Sequence, residues 1–113
     1  MGVIDEKWQQ IQWIGQPVDT GAGSAEMATS DNRGRCRDYQ HGSIYWTPQT
    51  GANEIHGQIR DLWASMGWEN SFLGYPVTDE IGTGNSRSSR FQHGHISWNP
   101  TEGPKAHRSV LID

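Results

Sequence analysis

The chain has 113 residues, enough for one ordinary domain and too few for two independent cores. Its net charge of −4 and pI near 5.6 argue against a general nucleic-acid binder, whose affinity rests on neutralising phosphates. The hydrophobic fraction of 33% is low, yet six Trp and fourteen Gly point to a small core of large rings with tight turns rather than to disorder.

Ile4, Trp8 and Ile11 recur at helical spacing with Asp5, Glu6 and Lys7 opposite, which predicts a short amphipathic helix over about residues 3–12. No signal-peptide hydrophobic region opens the chain, and no stretch is long and apolar enough to span a bilayer. The expectation is a cytoplasmic protein or a trimmed segment, with no membrane insertion. Gly15-Gln16-Pro17 reads as a rigid turn, because no Lys-Ser/Thr and helix follow it as a phosphate loop would need. Between Asp19 and Arg33 lies a stretch rich in Gly, Ser and Ala, expected to be a solvent loop, with specificity as a secondary role. Arg33, Arg35 and Arg37 are bracketed by Asp31 and Asp38, so they read as a solvated strand face rather than a phosphate site. Cys36 is the sole cysteine, which excludes an intrachain disulfide and a thiolate zinc site; it reads as a small strand residue.

Tyr39 to Pro48 then reads as a hairpin turning at His41-Gly42. That register sets Tyr39 opposite Ile44 and Asp38 opposite Tyr45. It gives a core face of Tyr39, Ile44 and Trp46, and a polar face of Asp38, Gln40, Ser43 and Tyr45. A second helix is predicted from Asn53 to Met66, with Ile55, Ile59, Leu62, Trp63 and Met66 as its stripe and Gly67 as its C-terminal glycine. Gly74-Tyr75-Pro76 repeats the rigid turn, Asp79-Glu80 reads as the turn or helix start after it, and Gly82 to Ser86 reads as a loop. The second hairpin turns at His93-Gly94, with Phe91, Ile96 and Trp98 inward and Arg90, Gln92, His95 and Ser97 outward. Lys105 to Ile112 could begin a third, incomplete unit.

These elements form a repeat. Tyr39-Gln40-His41-Gly42-Ser43-Ile44-Tyr45-Trp46 returns as Phe91-Gln92-His93-Gly94-His95-Ile96-Ser97-Trp98, 52 positions on (91 − 39), and Ile14-Gly15-Gln16-Pro17-Val18 returns as Leu73-Gly74-Tyr75-Pro76-Val77, 59 on (73 − 14). The expected architecture is α+β: tandem units of short helix, Gly-x-Pro turn and β-hairpin in one small domain. Repeat one runs over about residues 3–52, repeat two over about 53–104, and a partial third unit over 105–113.

Leu73-Gly74-Tyr75-Pro76-Val77-Thr78-Asp79-Glu80 followed by Phe91-Gln92-His93-Gly94-His95-Ile96-Ser97-Trp98 resembles the LGFP repeat, as does the first copy through Ile14-Gly15-Gln16-Pro17 and Gly42-Ser43-Ile44-Tyr45-Trp46. Thr50 to Gly57 is similar to that family's link into the next helix. The resemblance implies a non-catalytic module of the kind appended to cell-envelope enzymes, holding them on wall polysaccharide, in an extracellular or cell-wall setting. Tandem copies of the family can close into a ring. About two units are present here, which leaves room for a free-standing lectin-like protein or an oligomer that completes the ring.

Glycan binding is therefore the leading expectation, through aromatic platforms and planar hydrogen-bonding side chains. Arg35, Asp38, Gln40 and Tyr45 in copy one, and Arg90, Gln92 and His95 in copy two, fit that description, with Trp13 and Trp68 as exposed rings beside the turns. Trp46 and Trp98 are assigned to the core. Two equivalent sites would gain avidity on a repetitive polymer. An enzyme is disfavoured. His41, His56, His93, His95 and His107 lack a metal-ligand pattern, no Gly-x-Ser-x-Gly is present, and nothing sets a carboxylate pair from Asp79 and Glu80 at a hydrolytic separation. No cofactor is implied. A protein-interaction module is the alternative, since an incomplete array exposes apolar ends unless capped or oligomerised.

Overall fold

The computed structural model describes residues 2–18 and 26–108. Helix α1 (Val3–Gln10) is followed by one 3-10 turn at Gln12–Ile14. Strands β1 (Met27–Ala28), β2 (Arg35–Tyr39), β3 (Gly42–Thr47) and β4 (Gly51–Ile55) then form an antiparallel sheet in chain order. Helix α2 (Gly57–Met66) and a 3-10 turn at Trp68–Asn70 lead into the second sheet. Its strands are β5 (Ile81–Thr83), β6 (Ser86–Phe91), β7 (Gly94–Asn99) and β8 (Gly103–Arg108), again in chain order. The class is α+β. Among the described residues no helix is long and apolar enough to cross a membrane.

The layers alternate. One face of the first sheet packs Tyr39 and Ile44 against Ile4 and Ile14, with Trp8, Ile11 and Trp46 around them. Its other face packs Cys36, Tyr45 and Ile55 against Ile59 and Trp63 of α2 and Tyr75 beyond it. Leu73, Phe91 and Ile96 carry that cluster onto the second sheet. Among the described residues the first sheet is thus covered on both faces and the second on one. Each large apolar side chain buried this way contributes roughly 1.5–3 kcal/mol.

Three differences from the sequence reading have physical causes. Both hairpins turn one residue earlier, at Gln40-His41 and Gln92-His93, so Tyr39 pairs with Gly42 and Phe91 with Gly94. Each partner moves by two positions, which preserves the faces, since side chains alternate with period two. Each hairpin is also flanked by a further strand on either side. Asn53–Ile55 belong to β4 and not to the helix, because the backbone from Gly51 pairs with β3, His56 is still extended, and α2 starts only at Gly57, whose φ of +64° redirects the chain. Lys105 to Arg108 lie in β8, the counterpart of β4, so the second sheet absorbs the start of the expected third unit; residues 109–113 lie outside the described residues.

The Gly-x-Pro turns are fastened alike in both halves. Gln40 Oε1 accepts the Gln16 N–H at 3.0 Å, and Gln92 Oε1 accepts the Tyr75 N–H at 3.2 Å. Trp8 Nε1 donates to the Gly15 carbonyl at 2.8 Å, and Trp63 Nε1 to that of Gly74 at 3.2 Å. A Cβ on Gly74 would fall 2.6 Å from Gln92 Oε1, and its φ of +77° already favours glycine. The signature is therefore a packing device.

Of the Asp19–Arg33 stretch, residues 19–25 lie outside the described residues. The rest is more than a solvent loop. Thr29 Oγ1 and Asp31 Oδ1 accept the Tyr75 hydroxyl at 2.7 and 2.5 Å, and Ser30 donates to Glu69 from both its N–H and its hydroxyl. Burial acts to raise the Asp31 pKa, but hydrogen bonds from Tyr75, the Arg33 N–H and Thr29 outweigh it and hold the carboxyl below its ordinary value. This loop ties the first sheet to the second signature.

Candidate functional site

The two halves carry one cleft each, built from the same parts. In the first, Arg35 on β2 stands in register with Trp46 on β3, and its Nε donates to Glu26 Oε2 at 2.7 Å. In the second, Arg87 on β6 stands in register with Trp98 on β7, and Arg87 donates to Glu80 Oε2 at 2.9 Å. Both sheet pairs are 52 apart (87 − 35, 98 − 46). The start of a helix closes each cleft: Gly2-Val3-Ile4 in one, Gly57-Gln58-Ile59 in the other, 55 apart (57 − 2). The clefts measure about 150 and 250 Å³. Trp46 and Trp98 are half-buried in them, each also packed against a core cluster.

The second cleft is more elaborate. Trp98 Nε1 donates to Gln58 Oε1 at 3.0 Å, which sets the indole plane. Past Arg87 and Glu80 the cleft continues for about 330 Å³ to Trp13, whose ring is 53% exposed and meets the His56 ring edge-on at 4.8 Å. His56 Nδ1 donates to Glu54 Oε2 at 2.6 Å, and its Nε2 lies 3.6 Å from Glu80 Oε1. The hydrogen bond to Glu54 raises the His56 pKa, burial opposes it, and the charges of Glu54 and Glu80 add to the rise. Glu54, only 2% exposed, also accepts the Glu80 N–H at 2.8 Å, while its own N–H donates to Asp79 Oδ1 at 2.9 Å. Asp79 in turn pairs with Lys7. Each carboxylate here is already held by a donor.

The residues expected to hold a glycan are scattered by the fold. Arg35 lies in the first cleft. Gln40 and Gln92 hold the turns. Tyr45, expected outward, is 6% exposed in the core, with its ring 4.8 Å from that of Trp63; the polar face of the first hairpin is covered by α2. Burial there raises the Tyr45 pKa above its ordinary value and takes the neighbouring Cys36 to about 11. Asp38 accepts the Ser43 hydroxyl at 2.7 Å and lies 3.5 Å from Arg60, inside the seam between the first sheet and α2. Trp68 closes that seam under the Arg60 guanidinium, 4.9 Å from its ring centre. Arg90 and His95 lie together on the open face of the second sheet, where His95 stacks on His107 at 4.5 Å. Among the described residues no three groups converge to hold a metal ion.

The sequence reading placed Trp46 and Trp98 in the core and took Glu80 as part of a turn, and it did not single out Arg87, Glu26 or Gln58. The signal that could have found them was the repeated Arg at 35 and 87, eleven positions before each Trp (46 − 35, 98 − 87), which a hairpin turn between them brings side by side.

The family model for the LGFP repeat matches residues 23–71 and again 73–111, so two adjacent copies span most of the chain. No curated protein sequence matches it. Two adjacent matches over more than half its length assign the chain to a family: it belongs to the LGFP repeat family.

Proposed function

We propose that this protein is a non-catalytic carbohydrate-binding module, using its two equivalent clefts to hold a polysaccharide. The observation that carries the reading is the duplication of one cleft: a half-buried Trp, an Arg–Glu pair in register with it, and a helix start. An indole face suits the C–H surface of a sugar ring, and a fixed Arg–Glu pair offers both donors and acceptors to its hydroxyls. A repeated cleft suits a repeated ligand, and two weak sites on one rigid body gain by avidity along a polymer. The resemblance to wall-anchoring repeats points to the same class.

The test is a titration against soluble glycans and insoluble wall polysaccharides, read by tryptophan fluorescence and by pull-down. Saturable binding that falls in Trp98→Ala and Trp46→Ala while both variants stay folded supports the reading. Absence of binding from a well-folded protein contradicts it.

Self-assembly is the second reading. It is favoured by two exposed apolar pairs in equivalent places, Trp13 with Phe72 and Val18 with Val77 (72 − 13, 77 − 18, each 59). A solution mass above that of one chain would support it.

A further inference from the structure

The open face of the second sheet has the same frame as a face that is closed in the first. Cys36, Ser43, Tyr45 and Ile55 of the first sheet are covered by α2 and by Trp63 and Tyr75. Their counterparts 52 positions on are Ser88, His95, Ser97 and His107. Every apolar group that made the first face fit a helix has been replaced by a polar one. Covering this face with a further repeat would bury polar groups, and each one left without a partner costs about 1–3 kcal/mol. The face is built for water and for a polar ligand.

Its basic groups differ from those of the first sheet. Asp38 of the first sheet corresponds to Arg90 of the second, and Lys105 stands in register with Ser97 on the same face as Arg90, His95 and His107. A cleft of about 380 Å³ runs over it, and among the described residues no carboxylate lines that cleft. Arg87 and Lys105 have partners at its margins, Glu80 and Glu102, whereas Arg90 makes no ion pair among the described residues. In a chain of net charge −4, Arg90 is thus a cation facing the cleft with no carboxylate partner among the described residues. The cleft shares Arg87 and Trp98 with the candidate sugar cleft, so one ligand can run from one into the other.

We infer that this face recognises carboxylates on an acidic polysaccharide, so that the second cleft takes a uronate-bearing chain. The inference rests on the carbohydrate reading and adds the charge of the ligand. Planar guanidinium and imidazole donors match a planar carboxylate, and Ser88, Ser97 and Asn99 offer partners to ring hydroxyls. A long nucleic acid fits less well, because the cationic area is short and the rest of the chain is acidic.

The test compares polygalacturonate, a neutral galactan, a polyphosphate and single-stranded DNA, each titrated into the whole chain at low and moderate salt. The expected result is binding of polygalacturonate about tenfold tighter than of galactan, weakening as salt rises. In the Arg90→Glu/Lys105→Glu variant that advantage is lost while galactan binding persists; a thermal melt confirms the variant's fold. Equal binding of both glycans, or an advantage untouched by the charge reversals, would overturn the inference and leave the carbohydrate reading standing. Tighter binding of polyphosphate or DNA would overturn it in favour of phosphate recognition. Binding of none of the four would overturn the inference, and the carbohydrate reading would then rest on the wider glycan panel.

Discussion

Replacing Tyr45 by Ala should destabilise the fold strongly rather than blunt a binding site. The Tyr45 ring lies within 4.8 Å of Trp63, 6.3 Å of Trp68 and 6.4 Å of Tyr75, centre to centre, where the first sheet meets α2. Removing a fully packed aromatic ring costs about 3–5 kcal/mol through lost transfer energy and the cavity left behind. A domain of this size has about 5–15 kcal/mol in total, so the melting temperature should fall by more than about 10 °C. The equivalent residue of the second sheet, Ser97, is half-exposed and bonded only to His107. Ser97→Ala should therefore change stability by no more than about 0.5 kcal/mol. Tyr45→Phe keeps the ring and should leave both glycan binding and most of the stability intact. Urea denaturation of the three variants, followed by tryptophan fluorescence, measures these values directly. A Tyr45→Ala protein as stable as wild type but deficient in glycan binding would refute the packing argument and return Tyr45 to the surface.

Other predictions follow from single contacts. Gln92→Ala should cost about 1–2 kcal/mol in urea denaturation, because it strips the acceptor from the Tyr75 N–H, and Gly74→Ala should cost more because its φ of +77° strains a side chain and its Cβ displaces the same Gln92 oxygen. Ser89 is buried with no partner for its hydroxyl among the described residues, so Ser89→Ala should leave the denaturation midpoint unchanged or raise it slightly. His56 has its pKa raised in the folded chain by the Glu54 hydrogen bond. Its contribution to stability is then fully present below its ordinary value of 6.5 and lost as pH rises through the higher folded value. The stability difference between wild type and His56→Gln, measured from pH 5 to 9, should shrink with rising pH; a difference that grows would contradict the assignment.

How far the fold could be read from residues is clearest in the hairpins. Tyr39, Ile44 and Trp46 share a face because alternation survives a two-position shift of partner, so the face was legible although the turn was misplaced. What lay beyond reading was how many layers cover a face. Asp38, Ser43 and Tyr45 look like a surface by composition, and only the position of α2 turns that surface into an interior. Strand β4 was hidden for a related reason. Ile55 stands four residues before Ile59 and completes a helical stripe, while its backbone is claimed by pairing with Ser43. The candidate clefts were illegible in part because Trp46 and Trp98 serve two environments at once, core on one side and cleft on the other. Binary reasoning on burial assigns such residues to the first alone. Arg35 stood out in the sequence as a glycan-binding candidate, but its partners Glu26 and Trp46 come from the pairing of strands, and no local spacing announces them.

The account turns on the claim that the two clefts are equivalent binding sites. The most direct measurement is the stoichiometry of a short oligosaccharide, drawn from whichever polysaccharide binds, in calorimetric titration of wild type, Trp46→Ala, Trp98→Ala and the double variant. The account predicts two sites per chain, one in each single variant and none in the double variant, with all four proteins folded. Two sites persisting in the double variant, or a single site insensitive to both tryptophans, would contradict it.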